Sequence, residues 1–422
     1  MKIYIETHGC KLNQADTQNI SNSFLRKGFQ LTDDIADADA CIINTCTVTH
    51  IADRKARNAL RKAKSNNPSC LTVATGCYAE WAHEKLNNMP EIDLVLGNSS
   101  KSNLVEDVIN ILGDKHNEMD TSPLTMIDKM QRTRAMVKIQ EGCDQICAYC
   151  IVPRVRGRER SVGLIDLINK INQLYLEGYK EVVLTGTQLG TYGFEFSNVD
   201  LPILIESILR ETSIDRIRLS SVQPQEFSVD LLSLWENERL CPHFHIPLQS
   251  GDDYILKKMR RRYNSEQFLK SLQFVRDSLP NASITTDVIV GFPEESEEMF
   301  SNTIETCNDA MFSKIHIFPY SKRPGTSAYY SDNFVDNSVI KDRSKRLEFV
   351  STHYQKQYLN NMIGSSLKVL WENTKTLNSE LYWTGLSDTY ARVYSKSQDV
   401  LQNTITNINI DRVESDYLIG II

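Results

Sequence analysis

The sequence predicts an α/β protein in three parts: an N-terminal parallel sheet, a partial (β/α)6 barrel and a small C-terminal β-barrel. Three observations support this. Apolar runs alternate with amphipathic helical stretches over about the first hundred residues, six more apolar runs recur with helices between them, and short β-type runs follow a long helix near the end. With 422 residues, the chain is too long for one ordinary core, so we expect two or three domains.

The N-terminal part, predicted over residues 1–113, has the alternation of a parallel sheet with helices on its faces. Predicted strands cover residues 2–6, 40–44, 71–74 and 94–96, and predicted helices cover residues 14–27, 52–65 and 79–88. Residues 114–134 are polar, contain Ser122-Pro123 and show no clean period. We therefore predict a linker there.

The second part, predicted over residues 135–362, has the pattern of an open or partial barrel. Its predicted strands cover residues 135–140, 181–184, 216–220, 243–246, 284–290 and 314–318, and a long helix over 339–362 ends near Gly364. In such barrels the reactive residues lie at the carboxyl ends of the strands. The remaining residues, 363–422, contain β-type runs at 367–371 and 390–394, which predict a small β domain.

The composition is that of an ordinary globular protein. Hydrophobic residues make up 41% of the chain and charged residues 24%. No apolar run approaches the roughly 18 residues of a membrane span, and the N-terminus reads as a strand rather than a secretory leader. We therefore expect a cytoplasmic protein with no membrane partner. The formal net charge of −7 argues against non-specific coating of nucleic acid but leaves room for local basic patches.

Ten cysteines in a reducing compartment indicate metal ligation, catalysis or burial rather than a disulfide framework. Cys143, Cys147 and Cys150 lie on one short segment directly after a predicted strand. Three thiolates can hold three irons of a 4Fe-4S cubane and leave the fourth iron open to a substrate. The alternatives are a zinc knuckle or coincidence, but zinc normally takes a fourth Cys or His nearby.

A second set of cysteines, Cys10, Cys46 and Cys77, follows the carboxyl ends of three separate predicted strands. These ends lie along one edge of a parallel sheet, so the three thiols can converge on a second cluster with an open iron. The alternative is that they are buried or incidental cysteines. The remaining cysteines lack such placement and are predicted to be structural: Cys41, Cys70, Cys241 and Cys307.

The spacing of Cys143, Cys147 and Cys150 resembles the signature of the radical SAM superfamily. With both cysteine sets, the chain resembles the methylthiotransferases, whose members join an N-terminal cluster domain, a radical SAM barrel and a C-terminal β-barrel called TRAM. The resemblance covers nearly the whole chain. The motifs that carry it are Gly9-Cys10-Lys11-Leu12-Asn13, Asn44-Thr45-Cys46-Thr47-Val48, Gly76-Cys77, Gly142-Cys143, Arg156-Gly157-Arg158-Glu159-Arg160-Ser161, His245-Ile246-Pro247-Leu248-Gln249-Ser250-Gly251 and Phe318-Pro319-Tyr320-Ser321.

This resemblance implies an enzyme with two 4Fe-4S clusters, in which S-adenosylmethionine (SAM) serves as methyl donor and as source of a 5′-deoxyadenosyl radical. It also implies SAM contacts at Tyr149, Thr185, Gly186, Thr187, Gln188, Ser220, Ser221, Gln249, Asp287 and Val290. Most of these lie at the carboxyl ends of predicted barrel strands, where a nucleoside can reach backbone and hydroxyl groups. Ordinary turns and caps are the alternative.

Known family members act on adenosine beside the tRNA anticodon, carrying a threonylcarbamoyl or an isopentenyl group, or on an aspartate of a ribosomal protein. The segment Cys10-Lys11-Leu12-Asn13-Gln14 is similar to the threonylcarbamoyl group of the family. This similarity implies methylthio transfer to C2 of N6-threonylcarbamoyladenosine. The alternatives are the other two acceptors and, outside the enzymes, an RNA-binding iron-sulfur electron carrier.

A threonylcarbamoyl group carries a carboxylate that requires a cation, whereas an isopentenyl group requires only apolar walls. Arg154, four residues after Cys150, is our candidate for that cation. The alternative is a solvated arginine or a phosphate contact. Asn13, Arg156 and Arg160 are further predicted substrate residues, and no catalytic residue is predicted beyond the cluster ligands.

Three basic clusters are expected to hold the anticodon stem-loop: Arg54, Lys55, Arg57, Arg61, Lys62 and Lys64; residues 154–160; and Lys257, Lys258, Arg260, Arg261 and Arg262. Residues 361–422 carry five Lys or Arg against seven Asp or Glu, which argues against strong backbone binding there. Two roles are open for Tyr390, Tyr394 and Trp383: they recognise the shape of the RNA, or they only pack inside the β domain. We further expect an electron donor such as flavodoxin or ferredoxin, and a monomer.

Overall fold

The computed structural model of the chain describes residues 1–113 and 133–422. The described chain forms two compact units. The first holds residues 1–113, 140–160 and 321–330, and the second holds residues 133–139, 161–320 and 331–422. Apart from Thr133 and Arg134, the predicted linker lies outside the described residues and stays a prediction.

A five-stranded parallel sheet with strand order β2-β1-β3-β4-β5 forms the core of the first unit. Its strands are β1 (Lys2–Thr7), β2 (Gln30–Leu31), β3 (Ala40–Thr45), β4 (Leu71–Gly76) and β5 (Leu94–Leu96), with helices α1 (Lys11–Arg26), α2 (His50–Asn66), α3 (Cys77–Trp81), α4 (His83–Asn87) and α5 (Leu104–Leu112). Every residue of β3 and β4 is buried, as expected for a sheet covered on both faces. The predicted parallel sheet is confirmed.

The helix predicted over residues 79–88 is wrong in extent, because α3 and α4 are separate. Ala82 lies between them with φ −118° and ψ 36°, outside the helical region. Trp81 packs on an apolar cluster of Cys77, Ile151 and Val155. Because Ile151 and Val155 are distant in sequence, the periodicity of residues 79–88 does not reveal where the helix breaks.

Beyond the first sheet, the elements from residue 133 onward are as follows: β6 (Arg134–Lys138), β7 (Gln140–Glu141), α6 (Val152–Arg156), β8 (Arg160–Ser161), α7 (Leu164–Leu176), β9 (Glu181–Thr185), α8 (Leu201–Glu211), β10 (Arg216–Leu219), α9 (Val229–Ser233), β11 (His243–His245), α10 (Asp253–Lys258), α11 (Ser265–Ser278), β12 (Ser283–Val290), α12 (Glu297–Ala310), β13 (Lys314–Pro319), α13 (Asn337–Asn360), β14 (Ser366–Leu377), β15 (Glu380–Ser387), β16 (Arg392–Ser395), β17 (Ile405–Glu414) and β18 (Tyr417–Ile421). Among the described residues, no helix is both long and apolar enough to cross a bilayer.

Six parallel strands of the second unit form the partial barrel. They group as β10-β9-β6 and β11-β12-β13, and a parallel bridge between Ser221 and His245 continues one group into the other. Helices, strands and the connections between them all contribute apolar side chains to the largest core. The predicted partial (β/α)6 barrel is confirmed.

The C-terminal strands close into a small barrel in the order β14-β15-β16-β18-β17, which confirms the predicted fold class. The strand predicted over residues 390–394 begins later, at Arg392. Tyr390 instead has a positive φ of 69°, and its ring stacks on His243 at 4.6 Å between centroids. Tyr394 is buried and Trp383 packs against the barrel core. These contacts favour packing over RNA reading for the three aromatic residues.

A buried ion-pair cluster lies on β9 and β10. Glu181 is fully buried and accepts hydrogen bonds from Nε of Arg216 at 2.5 Å and from Nε of Arg218 at 3.1 Å. The two guanidinium groups also donate to main-chain oxygens of Leu386 and Ser387 in β15. Burial by itself raises the pKa of Glu181, but the neighbouring arginines outweigh it and lower the pKa to about 2. Glu181 thus holds two buried cations that bind the C-terminal barrel.

We expect Glu181→Gln to lower the free energy of unfolding by roughly 3–5 kcal/mol, because it leaves the two buried guanidinium groups without their counter-charge. Denaturant unfolding would measure this, with Glu236→Gln as control because Glu236 is an exposed carboxylate of the same unit. The control should shift unfolding by less than about 0.5 kcal/mol. Because the folded-state pKa is depressed, the stabilisation is complete above an unfolded pKa of about 4.3 and is lost as pH falls towards 2. Equal effects of the two substitutions would contradict this role.

Candidate cluster-binding site

Three cysteines of the first unit lie at the same edge of its parallel sheet. Strand β3 pairs in parallel with β1 on one side and with β4 on the other, so the carboxyl ends of the three strands are neighbours. Cys46 directly follows β3, Cys77 directly follows β4, and Cys10 is the N-cap residue of α1 just beyond β1. The predicted placement of each cysteine after a strand is what the structure shows.

Contacts around these cysteines bring the three strand ends together. A Cβ atom added at Gly9 would lie 2.7 Å from Sγ of Cys46, and Gly9 also has a positive φ of 97°, so this position requires glycine. The amide nitrogen of Asn13 donates to the main-chain oxygen of Thr45 at 2.9 Å, and its Oδ1 lies 3.9 Å from Sγ of Cys77. Asn13 therefore contacts both neighbouring cysteine turns.

Burial disfavours the ionised form of two thiols in this set, Cys10 and Cys46. It raises the pKa of Cys10, although the charge of Arg156 opposes the shift. Burial raises the pKa of Cys46 to about 12, and the nearby thiols of Cys10 and Cys77 add to the effect. A cysteine thiol must lose its proton to bind metal. A positively charged iron centre would add to the charge of Arg156 in favouring the thiolate form of Cys10.

The second cysteine set follows β7 in the segment of residues 140–160 that belongs to the first unit. Gly142 precedes it with a φ of 77°, and a Cβ atom there would lie 1.9 Å from the main-chain oxygen of Arg158, so no other residue fits. The N–H of Cys143 donates to Gly157 O at 3.2 Å, and that of Cys150 donates to Cys147 O at 3.1 Å. The three side chains are partly exposed. Burial raises the pKa of Cys143 to about 11, so this thiol also requires a cation to ionise.

Two polar residues connect the two cysteine sets within the first unit. The amide nitrogen of Asn98 lies 3.5 Å from Sγ of Cys77 and donates to the main-chain oxygen of Val155 at 2.7 Å. The buried Arg156 donates to Oδ1 of Asn13 at 2.5 Å and pairs with Asp16 at 3.1 Å. The segment that follows Cys150 is therefore tied to the residues around Cys10 and Cys77.

Each cysteine set has the number and type of donors that a 4Fe-4S cubane with one open iron takes. Within residues 1–113 and 133–422, no three His, Cys, Asp or Glu side chains lie close enough together to hold one ion. A cubane offers separate irons to separate thiolates, so its ligands do not need to meet at a point. The two sets therefore remain our predicted ligands: Cys10, Cys46 and Cys77 for an auxiliary cluster, and Cys143, Cys147 and Cys150 for the radical SAM cluster.

Most residues predicted to bind SAM lie at or just beyond the carboxyl ends of the second unit's barrel strands. The exceptions are Asp287, in the middle of β12, and Tyr149, in the cysteine loop of the first unit. Thr185 ends β9 and is followed by Gly186, Thr187 and Gln188, Ser220 and Ser221 follow β10, Gln249 follows β11, and Asp287 and Val290 belong to β12. The assignment stays a prediction.

Two of these positions have features of a binding edge. The hydroxyl of Ser220 is buried and has no hydrogen-bond partner among the residues that the structure describes, so it can donate to a ligand. Gln249 has a positive φ of 67°, and its main-chain groups bond to Asp287 and Ile289 of β12. The side chain of Gln188 is already hydrogen-bonded to Glu226.

The four predicted substrate residues have different surroundings. Arg154 is exposed, and its Cδ and Nε pack beside Gly325. Arg160 is exposed and pairs with Glu141 at 3.1 Å. Arg156 and Asn13 are buried and bonded to one another, so their visible role is to position the cysteine turns. The substrate assignment of all four stays a prediction.

Asn98 and Arg323 were missed by the sequence reasoning. Asn98 follows β5 closely, so the rule that ligands gather at strand ends could have found it. Arg323 lies just beyond the Phe318-Pro319-Tyr320-Ser321 motif, and its Nη2 pairs with Asp53 at 2.7 Å. Because Arg323 and Asp53 are far apart in the sequence, only the folded chain shows that they form an ion pair.

The four cysteines predicted to be structural are buried. Sγ of Cys41 in β3 and Sγ of Cys70, directly before β4, lie 2.8 Å apart, while Cys241 and Cys307 lie in the second unit. None of them belongs to either cluster set.

Comparisons with known proteins agree with this architecture. Residues 2–97 match a family model described as uncharacterized protein family UPF0004, and residues 137–307 match the radical SAM superfamily. The fold is similar to that of the radical S-adenosylmethionine methyltransferase TsrM from Kitasatospora setae, with a TM-score of 0.56 at 13% identity over 78% of this chain and 77% of that one. Fold and sequence thus define a radical SAM enzyme.

Relatives whose names state an activity indicate which family of radical SAM enzymes the chain belongs to. The threonylcarbamoyladenosine tRNA methylthiotransferase MtaB of Aquifex aeolicus is 37% identical over 90% of this chain and 95% of its own length. The MtaB of Bacillus subtilis is 34% identical over 97% of this chain and 93% of its own length. The tRNA-2-methylthio-N(6)-dimethylallyladenosine synthase of Clostridium tetani is 34% identical over 82% of this chain and 79% of its own length. The chain therefore belongs to the radical SAM methylthiotransferase family.

Proposed function

We propose that this enzyme transfers a methylthio group to C2 of N6-threonylcarbamoyladenosine beside the anticodon of tRNA, using two SAM molecules and two 4Fe-4S clusters. The observation that carries the proposal is the presence of two three-cysteine sets in one compact unit, linked by Asn98 and Arg156. When bound, one cluster supplies the electron that cleaves SAM and the other supplies the sulfur for transfer. The names of the Aquifex and Bacillus relatives support the acceptor.

The chain's own residues would hold the two reactive centres in a fixed arrangement. Asn98 and Asn13 contact Sγ of Cys77, while Arg156 joins the helix after Cys150 to α1. Trp81, Ile151 and Val155 form an apolar wall beside Cys77, which would exclude water from a radical reaction. Such fixed positioning is what a two-cluster reaction requires of the protein.

The decisive test of the proposal is mass spectrometry of tRNA nucleosides from cells that lack the gene. We expect the 2-methylthio form of threonylcarbamoyladenosine to disappear and its unmethylthiolated precursor to accumulate, with recovery when the gene is restored. The relative from Clostridium tetani makes the isopentenyl-type acceptor the second candidate. Loss of the methylthio-isopentenyl nucleoside instead would establish that second candidate.

Arg154→Leu is expected to lower turnover of threonylcarbamoyl-bearing stem-loop RNA by about tenfold or more, because the threonyl carboxylate loses a charged partner. Arg154 makes no ion pair with another described residue, so it is available to a ligand. Arg26→Leu is the matched control, since Arg26 is an exposed arginine of the same unit that belongs to none of the three basic clusters. Unchanged turnover by Arg154→Leu would contradict the assignment of Arg154.

The remaining elements of the proposal concern partners. We propose that the tRNA anticodon stem-loop is the RNA partner, that a small electron carrier such as flavodoxin or ferredoxin reduces the clusters, and that the enzyme works as a cytoplasmic monomer. Light scattering of the anaerobically loaded protein tests the monomer, and reduction of its clusters by purified flavodoxin tests the donor.

A further inference from the structure

A cationic cavity of about 430 Å³ lies in the first unit, apart from the cysteine side chains. Its lining combines four basic residues with two aromatic ones and one carboxylate: Arg54, Arg57, Lys85, Arg323, Tyr78, Trp81 and Asp53. The N-terminus of the 17-residue helix α2 contributes His50 and Ile51 to the same wall, and the positive end of a helix favours anions. The cavity therefore carries an excess of positive charge.

Arg323 is the unusual member of this lining. Its side chain is only 3% exposed, and Nη2 donates to Oδ2 of Asp53 and to Oγ1 of Thr47, both at 2.7 Å. Its Nε and Nη1 are buried without a hydrogen-bond partner in the described part of the chain. A buried cationic donor left unsatisfied is costly, so these two nitrogens need an acceptor that the described residues do not provide.

The aromatic residues add a second kind of recognition. Arg57 holds Tyr78, donating from Nη1 to its hydroxyl at 2.6 Å. Trp81, partly buried, forms the neighbouring wall. Cationic donors beside aromatic faces are the combination that binds unpaired nucleotides, because the base stacks while the phosphate or another anionic group pairs with the cations.

We propose that this cavity, here called the Arg323 pocket, binds an oxyanion of the tRNA substrate, with Arg323 as its buried donor and Arg54 and Lys85 at its rim. The oxyanion is either a backbone phosphate of an unpaired anticodon-loop nucleotide or the threonyl carboxylate, which share this chemistry. The proposal rests on the proposed function in requiring tRNA as the substrate. The Arg323 pocket would provide a contact to an anionic group of the tRNA in addition to the contact proposed for Arg154.

The test is equilibrium binding of a fluorescent anticodon stem-loop RNA to the cluster-loaded full-length protein, without turnover. Arg323→Gln is expected to weaken binding on the order of ten- to a hundredfold, the effect of losing a hydrogen bond between charged groups. Lys85→Gln should weaken it several-fold, whereas its matched control Lys27→Gln should change it by less than about twofold. Lys85 and Lys27 are both exposed lysines of the first unit, but only Lys85 lines the pocket, and Lys27 belongs to none of the three basic clusters.

Two RNAs distinguish the sources of the oxyanion. If the threonyl carboxylate occupies the pocket, Arg323→Gln weakens binding of threonylcarbamoyl-bearing RNA but not of the same RNA with plain adenosine. If a phosphate does, both RNAs weaken equally, and the slope of log affinity against log salt falls by about 0.7 to 0.9 for the lost contact.

Circular dichroism and iron content show whether each variant is folded. Should Arg323→Gln fail to fold, the comparison of Lys85→Gln with Lys27→Gln decides. If Lys85→Gln and Lys27→Gln have equal effects on RNA binding, the pocket is overturned and the proposed function is left intact. A wild-type protein that binds neither RNA would overturn both.

Discussion

Replacing Cys147 with alanine is expected to remove about half of the iron from the anaerobically reconstituted protein, from about eight to about four atoms per chain. The variant should form no 5′-deoxyadenosine from SAM and reductant. The reason is that a cubane with an open iron depends on all three thiolates of its loop. Iron analysis and chromatography of the SAM products measure both effects.

Cys307→Ala is the matched control for Cys147→Ala, because Cys307 is a buried cysteine in the core of the second unit. It should retain about eight irons and the full yield of 5′-deoxyadenosine, at a modest cost in stability. If Cys147→Ala still formed 5′-deoxyadenosine, the radical SAM cluster could not be bound by this loop. Zinc in place of iron in the wild-type protein would contradict the assignment as well.

The positions of the candidate cluster ligands in the fold could be predicted because their signals are local. Cys143, Cys147 and Cys150 lie within one loop, and Cys10, Cys46 and Cys77 each follow a strand whose pattern is legible in the sequence. Parallel strands then require the second set to share an edge. The fold class was predictable for the same reason, since strand and helix periodicities need no knowledge of tertiary contacts.

What the sequence does not show are contacts between distant residues. Arg156 reaches Asn13 across 143 positions, and Arg323 reaches Asp53 across 270. Both are arginines whose local sequence suggests solvent or RNA, yet both are buried. Tyr390 is similar, because a left-handed turn and stacking on His243 replace the strand that its β propensity predicts. Tertiary packing decides each of these cases.

Cys77→Ala is expected to have the complementary effect to Cys147→Ala. It should also lose about four of about eight irons, because Cys77 is one of three thiols at the sheet edge. Formation of 5′-deoxyadenosine should persist, since Cys143, Cys147 and Cys150 are intact. Methylthio transfer to the stem-loop RNA should fall to background, because the auxiliary cluster is the proposed source of sulfur.

The different results expected for Cys147→Ala and Cys77→Ala distinguish an enzyme with two clusters from an enzyme with one. Asn98→Ala provides a graded comparison, because Asn98 contacts Sγ of Cys77 at 3.5 Å and is not a ligand. Residues that support metal ligands typically contribute about ten- to a hundredfold to affinity or activity, so Asn98→Ala should retain iron more readily than Cys77→Ala. If Cys77→Ala still forms the methylthio nucleoside, the sulfur comes from elsewhere, and the sheet-edge cysteines serve only the structure.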